Sequence, residues 1–339
     1  MVLAEHREKP GSLFKSSSHR ETERFGKKAT GIFYDSSSYD ADIRRETKRM
    51  SFQKRLQANE FVVLAEMHTP KGVNISRLVS DARRIKGRVD AVVIPDMDNG
   101  IMRMSALAGG VLMQQQGVET IMHVYCRDRN RMALQGDILA AHVLGIQNLI
   151  VVHSEDMSQG DHSDAKPVYD LDEIALLKAI GQLQSGKDLA GFDLDGEPSF
   201  TTGCSIAAYA DDAGMAEELA AARLKVAAGA RFVVTPPVFD LQHFASFLTK
   251  VKELGVPVIP TVFLLKSLAI AQYITNSEPG AHISDELIRR IRKSPDREQE
   301  GIQIAGETIA ALKSMTQGVL IQTLGWEQKL PAILDIAGL

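Results

Sequence analysis

Cysteine is scarce in this chain. The only two, Cys126 and Cys204, lie far apart in sequence, within apolar runs that look like strands. A disulfide framework or a zinc site needs more cysteines at closer spacing, so the scarcity argues against both and fits a reducing compartment. We therefore expect no bound metal, and we interpret Cys126 as a small packing residue.

Long apolar runs and clusters of positive charge are missing as well. No run reaches the roughly 18 to 20 apolar residues of a membrane span, and the first residues lack the apolar stretch of a signal peptide. Lys and Arg are scattered and the formal net charge is -4, which leaves no electrostatic footprint for nucleic acid. The sequence predicts a cytoplasmic protein that binds neither membrane nor nucleic acid.

The common phosphate-binding motifs are also missing. No GxGxxG follows the first apolar run, and no GxxxxGK[ST] occurs in the chain. Neither a dinucleotide-binding Rossmann fold nor a P-loop is therefore indicated. A cofactor that carries phosphate would need another cradle.

From residue 61 onward, short runs rich in Val, Ile and Leu alternate with longer stretches of helical spacing. The strand candidates are 61–67, 91–96, 120–126, 148–154, 200–207, 231–237, 256–265 and 318–325. Such runs suit parallel strands buried on both faces, and the helix candidates between them mostly end in glycine. Eight units over roughly 280 residues predict a (β/α)8 TIM barrel, with extra helix expected within 280–301.

The first part of the chain has a different composition. Residues 1–56 are rich in serine and charge and poor in aliphatic side chains, so they can bury little surface to offset the entropy of ordering. We expect a polar N-terminal arm that is flexible or folds along a partner subunit. Residues 57–339 would form the catalytic barrel.

Active sites of such barrels lie at the carboxyl ends of the strands, and Glu66 ends the first predicted strand. Alternation points its side chain either into the barrel mouth or towards the helices, where a lone carboxylate would be costly to bury. Two interpretations stay open. Glu66 is a structural carboxylate paired with an arginine, or a carboxyl group kept protonated by desolvation that acts as a general acid.

Polar side chains also end the third and fourth predicted strands. They lie in the sequences "HVYCRDRNR" (123–131) and "HSEDMSQGD" (153–161). Arginines at the start of a helix are poorly matched to its dipole, so the first stretch indicates an anionic partner. The second stretch has several carboxylates but no matching pair of histidines, so a solvated acidic loop is expected rather than a metal site.

Five motifs in one order resemble the methylenetetrahydrofolate reductase family. They are "AE" at the end of the first strand, "CRDRNR" after the third, "LGIQNLIVV" into the fourth, "GDHSDAKPVYDLD" after it, and "KVAAGARFVVTPPVFD" at the sixth. The likeness runs from about Phe61 to Gly325, and it is nearest to the bacterial branch with these signatures.

The resemblance implies a barrel that binds FAD non-covalently and reduces 5,10-methylenetetrahydrofolate to 5-methyltetrahydrofolate with hydride from reduced flavin. Glu66 matches the family's glutamate, an acid that helps to open the imidazolidine ring. His123 matches a histidine that contacts the flavin, and Lys225 matches a lysine that contacts FAD. Glu218 matches an acidic position near the adenosine portion of the cofactor.

Further contacts are expected from the same rim of the barrel. The cofactor set is completed by Arg127, Asp128, His153, Ser154 and Glu155, and the substrate set is Glu155, Thr235 and Phe239. NAD(P)H or a redox partner protein would supply the electrons. We expect a homo-oligomer or a subunit of a complex.

The sequence also departs from the family pattern at the cofactor and pterin side. Ser154 and Glu155 replace a Gly-Asp pair, which keeps the carboxylate but lengthens it by one methylene. Pro236 replaces a pterin-binding glutamine and can donate no hydrogen bond. Tyr125 replaces a smaller threonine, and 207–212 lacks the family's usual loop sequence.

These departures leave two alternatives beside the reductase. A variant member of the family would run the reaction oxidatively or take electrons from a partner subunit. A flavin-free barrel would instead serve as a subunit that binds a pterin or a corrinoid protein.

Overall fold

Eight parallel strands, paired in chain order, close into a barrel. The computed structural model describes residues 50–154, 156–208, 212–277 and 283–339, and residues 50–339 form one compact unit. The predicted (β/α)8 TIM barrel is confirmed. Residues 1–49 of the predicted polar arm lie outside the described residues, and the division of the chain at residue 56 stays a prediction.

Every predicted strand is present. The strands are β1 Val62–Glu66, β2 Ala91–Ile94, β3 Thr120–Val124, β4 Asn148–Val151, β5 Thr201–Ser205, β6 Val233–Pro237, β7 Val258–Phe263 and β8 Gly318–Gln322. The helices are α1 Phe52–Gln57, α2 Ser76–Ile85, α3 Ala106–Gln115, α4 Arg131–Val143, α5 Glu173–Gln184, α6 Asp212–Ala227, α7 Leu241–Val251, α8 Leu268–Ser277, α9 Asp285–Lys293, α10 Arg297–Leu312 and α11 Leu330–Ile336.

The strands separate two apolar layers because their side chains alternate between faces. One set of residues fills the barrel interior and includes Leu64, Val93, Ile121, Ile150 and Leu320. The intervening residues pack outward against the helices and include Ala65, Val92, Met122, Leu149 and Ile321. Burial on both faces explains why the strand sequences are apolar throughout.

Side-chain caps and glycines fix where several helices begin and end. Asp172 accepts a hydrogen bond from the backbone N–H of Ala175 at 2.7 Å and so caps the start of α5. Gly186 follows that helix with φ 76°, a conformation that glycine adopts without a Cβ clash. Helices α9 and α10 precede β8, where extra helix was expected.

None of the described helices is long and apolar enough to cross a membrane.

Helix α1 closes the amino end of the barrel. Phe52 and Leu56 belong to the interior cluster, and the Phe52 ring meets that of Phe232 edge-on at 5.3 Å between centroids. The backbone N–H of Phe52 donates to Glu119, at the start of β3. Arg55 lies 3.0 Å from Asp90, at the start of β2. The helix therefore forms the floor of the barrel, opposite the ends where the candidate site lies.

Candidate active site

A polar layer lines the barrel interior at the carboxyl ends of the strands. Glu66 continues the inward-facing series of Val62 and Leu64, and His123 lies between the inward-facing Ile121 and Tyr125. Gln322 likewise follows the inward-facing Leu320. Alternation alone left the direction of Glu66 open, and the barrel resolves it towards the interior.

Glu66 is buried, and its two carboxyl oxygens have different neighbours. Gln322 donates from Nε2 to Oε2 at 2.9 Å, and His68 Nε2 lies 3.7 Å from Oε1. Burial raises the pKa of Glu66 to about 7, although the nearby His68 charge opposes the rise. A carboxyl group with this pKa is protonated in a large share of the molecules near neutral pH, and a general acid needs that protonated form.

His68 forms an ion pair with Asp98, a residue of the β2–α3 loop. The distance from His68 Nε2 to Asp98 Oδ2 is 2.8 Å. Burial by itself opposes the charge on the imidazole, but the hydrogen bond to Asp98 and the charge of Glu66 outweigh it and raise the pKa of His68. The pKa of Asp98 is lowered, because the bond from His68 and its charge outweigh the effect of burial. Neither residue was among the predicted site residues.

The loop that carries Asp98 has an unusual backbone. Met97 and Asn99 have φ values of 58° and 53°, in the left-handed region that residues with a Cβ rarely adopt. Arg127 donates from Nη2 to the Met97 carbonyl at 2.8 Å. The backbone N–H of Asp161 donates to the Gly100 carbonyl at 3.2 Å. Contacts from two other loops therefore hold this strained segment in place.

Gly160 packs against Gly100 so closely that a side chain there would clash with backbone. A Cβ at Gly160 would meet the Gly100 carbonyl, and a backbone group cannot move aside as a side chain can. We expect Gly160→Ala to lower the free energy of unfolding by about 1–3 kcal/mol, as overpacking does. Gly181→Ala is the matched control, because nothing lies within 4 Å of that Cβ. Gly181 lies within helix α5, where alanine has a higher helix propensity than glycine, so this control substitution should stabilise the protein slightly. Chemical denaturation measures both, and equal effects would contradict the packing argument.

His123 is a neutral, half-buried side chain beside Tyr125. Burial lowers the pKa of His123 to about 4, so the ring is uncharged at neutral pH. The Tyr125 hydroxyl lies 3.5 Å from His123 Nδ1, and the two rings meet edge-on at 6.0 Å between centroids. A neutral ring in the barrel interior offers one donor and one acceptor nitrogen.

The arginines of "CRDRNR" lie in ion pairs. Arg127 is fully buried, and its Nε lies 2.8 Å from Asp128 Oδ1. Arg129 contacts Asp96 at 2.5 Å, and Arg131 contacts Asp170 at 2.8 Å. The anionic partners that the motif indicated are therefore carboxylates of the chain itself. A role of Arg127 and Asp128 in cofactor binding stays a prediction.

A second polar group centres on Glu173, the first residue of α5. Its Oε2 lies 2.6 Å from Lys225 Nζ, and its Oε1 lies 2.9 Å from His153 Nδ1. Lys225 also donates to the Ser205 carbonyl at 3.1 Å. The structure thus joins two predicted residues through one that the sequence analysis missed. The sequence does not mark Glu173 as a site residue, because an acidic residue in the first turn of a helix is common.

The remaining predicted residues lie along the same rim. Ser154 is buried, and Glu218 accepts a hydrogen bond from the backbone N–H of Ala207 at 3.0 Å. Thr235 and Phe239 line a small cleft of about 30 Å³ between β6 and α7. Glu155 lies outside the described residues.

Pro236 lies at an irregularity of the sheet. The register between β6 and β7 shifts between Thr235 and Pro237, so one residue is left out of the ladder, as in a β-bulge. Proline fits there because it has no N–H to leave unpaired. Thr261 donates to the Thr235 carbonyl at 2.7 Å and maintains the contact between the two strands.

Both cysteines lie on the helix-facing side of the strands. Cys126 and Cys204 belong to the outer apolar cluster, and burial raises the pKa of each thiol to about 12. They are protonated packing residues at neutral pH and poor nucleophiles.

Within the described parts of the chain, the buried side-chain oxygens without a hydrogen-bond partner include Asp98 Oδ1, in the β2–α3 loop, and Thr323 Oγ1, just after β8. Buried polar atoms are nearly always paired, so these atoms fit a mouth that a polar ligand completes. The neutral ring of His123 and the ammonium group of Lys225 are donors and acceptors of the kind that a heteroaromatic, anionic cofactor such as FAD would need.

A closed (β/α)8 barrel with a buried carboxyl group of raised pKa at its mouth has the arrangement of a barrel enzyme. A family model described as methylenetetrahydrofolate reductase matches residues 51–338. The chain belongs to the methylenetetrahydrofolate reductase family. Membership makes it an oxidoreductase of folate-related metabolism, in a family that generally binds FAD.

Comparisons with other proteins add less. No curated protein sequence matches the chain. A 2,3-dimethylmalate lyase has a TM-score of 0.49 at 10% identity, over 84% of this chain and 80% of that chain. Tryptophan synthase from M. tuberculosis has a TM-score of 0.47 at 14% identity, over 86% of this chain and 97% of that chain. An oxaloacetate acetylhydrolase has a TM-score of 0.47 at 9% identity, over 85% of this chain and 83% of that chain. Likenesses at this level carry no argument about activity.

Proposed function

We propose that this protein reduces 5,10-methylenetetrahydrofolate to 5-methyltetrahydrofolate in an FAD-dependent reaction, with Glu66 as the general acid. The observation that carries the proposal is the buried Glu66 carboxyl group, which faces the barrel interior and has a pKa of about 7. The family supports the substrate and the cofactor. FAD, once bound and reduced, supplies the hydride.

The residues at the mouth divide into those that hold ligands and one that moves a proton. Four residues would hold FAD, namely His123, His153, Glu218 and Lys225. Thr235 and Phe239 would contact the folate. Arg127, Asp128 and Ser154 are assigned to the cofactor side together with Glu155, which would also reach the folate.

Proton transfer is the part of the chemistry that this chain performs with its own atoms. Opening the imidazolidine ring of the folate leaves a nitrogen that needs a proton, and Glu66 would donate it. Gln322 holds the other carboxyl oxygen at 2.9 Å, which fixes the orientation of the acid. The buried setting keeps bulk water from competing for that proton.

The test combines cofactor binding with the pH dependence of turnover. The purified protein, incubated with FAD, should show the visible absorption of a bound flavin and should reduce methylenetetrahydrofolate with NADH, NADPH or a reduced dye. A general acid works only while protonated, so turnover should fall as the pH rises through about 7, the pKa of Glu66.

Each alternative predicts a different outcome of the same experiment. A protein that stays colourless with FAD would contradict the proposal and favour a pterin- or corrinoid-binding subunit. Turnover with a dye but with neither nicotinamide would favour electrons from a redox partner protein. A turnover rate independent of pH between 6 and 8 in a flavin-loaded protein would contradict the role of Glu66.

A further inference from the structure

The imidazole of His68 lies beside the Glu66 carboxyl group. His68 Nε2 lies 3.7 Å from Glu66 Oε1 and 2.8 Å from Asp98 Oδ2. The three side chains are largely buried, with exposed fractions of 6% for Glu66, 11% for His68 and 16% for Asp98. At such distances and in such burial, charges interact much more strongly than on the surface.

Asp98 favours the charged form of His68. Without a partner, a buried imidazole favours its neutral form. The 2.8 Å bond to a carboxylate reverses that preference, and the pKa of His68 is raised despite burial. Glu66 therefore faces an imidazole whose charged form is favoured by a residue 30 positions along the chain.

The position of Asp98 is fixed by more than this ion pair. Its loop contains left-handed residues on both sides, at Met97 and Asn99. Arg127 and the Gly100–Gly160 contact hold that loop in place. A strained conformation held by several independent contacts is typical of functional segments.

Other charged groups lie around the pair, and their effects can be separated. Among the charges that act on Glu66, His68 has the largest effect and favours the carboxylate, whereas Asp98 and Glu327 favour the protonated acid. Arg103 opposes the charge on His68 and favours the charged form of Asp98, to which His123 would add only at a pH low enough to charge its ring, near 4. Gln322 acts on Glu66 through a hydrogen bond and carries no charge.

We propose that His68 and Asp98 are positioning residues of this site, in which Asp98 keeps His68 protonated beside Glu66 and the imidazolium limits how tightly Glu66 retains its proton. The proposal rests on the proposed function only in treating Glu66 as the acid. Without the His68–Asp98 ion pair, Glu66 would hold its proton to higher pH and would be a weaker proton donor at neutral pH.

The experiment measures the protonation of Glu66 directly. The protein is labelled with carbon-13 at the glutamate side-chain carboxyl carbons, and the Glu66 signal is assigned by its loss in Glu66→Gln. In the unsubstituted protein, the signal should titrate with a midpoint near 7. In His68→Gln the midpoint should move up by about one pH unit, because an opposite charge at this distance has been removed.

A second variant and a control complete the test. In Asp98→Asn the midpoint should also rise, but by less, because the loss of the Asp98 charge itself acts in the opposite direction. The matched control is His162→Gln, since His162 is 58% exposed and lies 3.9 Å from Asp161. Its midpoint should equal that of the unsubstituted protein.

Several results would overturn the proposal. They are an unmoved or lowered Glu66 midpoint in folded His68→Gln, and an equal rise in the His162→Gln control. If His68→Gln does not fold, Asp98→Asn decides, and an unmoved midpoint there overturns the proposal equally. Because the titration needs neither FAD nor folate, it stands apart from the proposed function, which fails if Glu66→Gln retains full turnover.

Discussion

Glu66→Gln should fold and bind FAD as the unsubstituted chain does, yet turn over methylenetetrahydrofolate about 10²–10⁴ times more slowly, the usual contribution of a general acid. Glutamine has nearly the same shape as glutamate and can still accept the hydrogen bond from Gln322. It has no proton to donate at any relevant pH. Turnover is measured with excess folate and a reduced dye, and binding is measured by flavin absorbance.

A matched control separates proton donation from a general effect of lost charge. Glu327 is buried to a similar extent and accepts a hydrogen bond from the backbone N–H of Gly325 at 2.7 Å. Glu327→Gln should lower turnover far less than Glu66→Gln does. If both variants lost activity equally, or if Glu66→Gln kept the full rate, the assignment of Glu66 as the acid would be wrong.

Arg127→Met should lower the free energy of unfolding by about 3–5 kcal/mol, because removing one partner of a buried ion pair leaves the other charge uncompensated. Arg127 is fully buried, whereas the Asp128 side chain keeps 17% exposure, so the lower end of that range is expected. The Met97 carbonyl also loses its donor. Denaturation in urea measures the change.

Arg131→Met is the matched control in the same motif. Arg131 pairs with Asp170 at 2.8 Å, but the two side chains are 52% and 32% exposed, and water screens such pairs. This variant should unfold at nearly the same urea concentration as the unsubstituted protein. Equal losses in both variants would mean that burial is not the source of the Arg127 effect.

The sequence was sufficient to predict the barrel, because the fold depends on local patterns. Each strand is a short apolar run, and helices end at glycines such as Gly145 and Gly186, which adopt positive φ. It also placed Glu66 at the end of β1. The direction of that side chain stayed open, since a strand buried on both faces has no polar alternation from which its phase can be read.

Contacts between distant parts of the chain could not be predicted from local sequence patterns. Gln322 lies 256 positions from Glu66, and only closure of the barrel by β1 and β8 brings the two together. The pairing of His68 with Asp98 depends on a left-handed turn at Met97, and methionine gives no sign of such a turn. The bond from Arg127 to that turn is equally non-local.

The floor formed by helix α1 has a consequence for the order in which ligands bind. Phe52 and Leu56 fill the amino end of the barrel, so within the described residues the polar layer around Glu66 opens at the opposite end. An electron donor and a folate that both need this layer would enter from that end. Where the two occupy the same part of the layer, a high concentration of one should slow the reaction of the other.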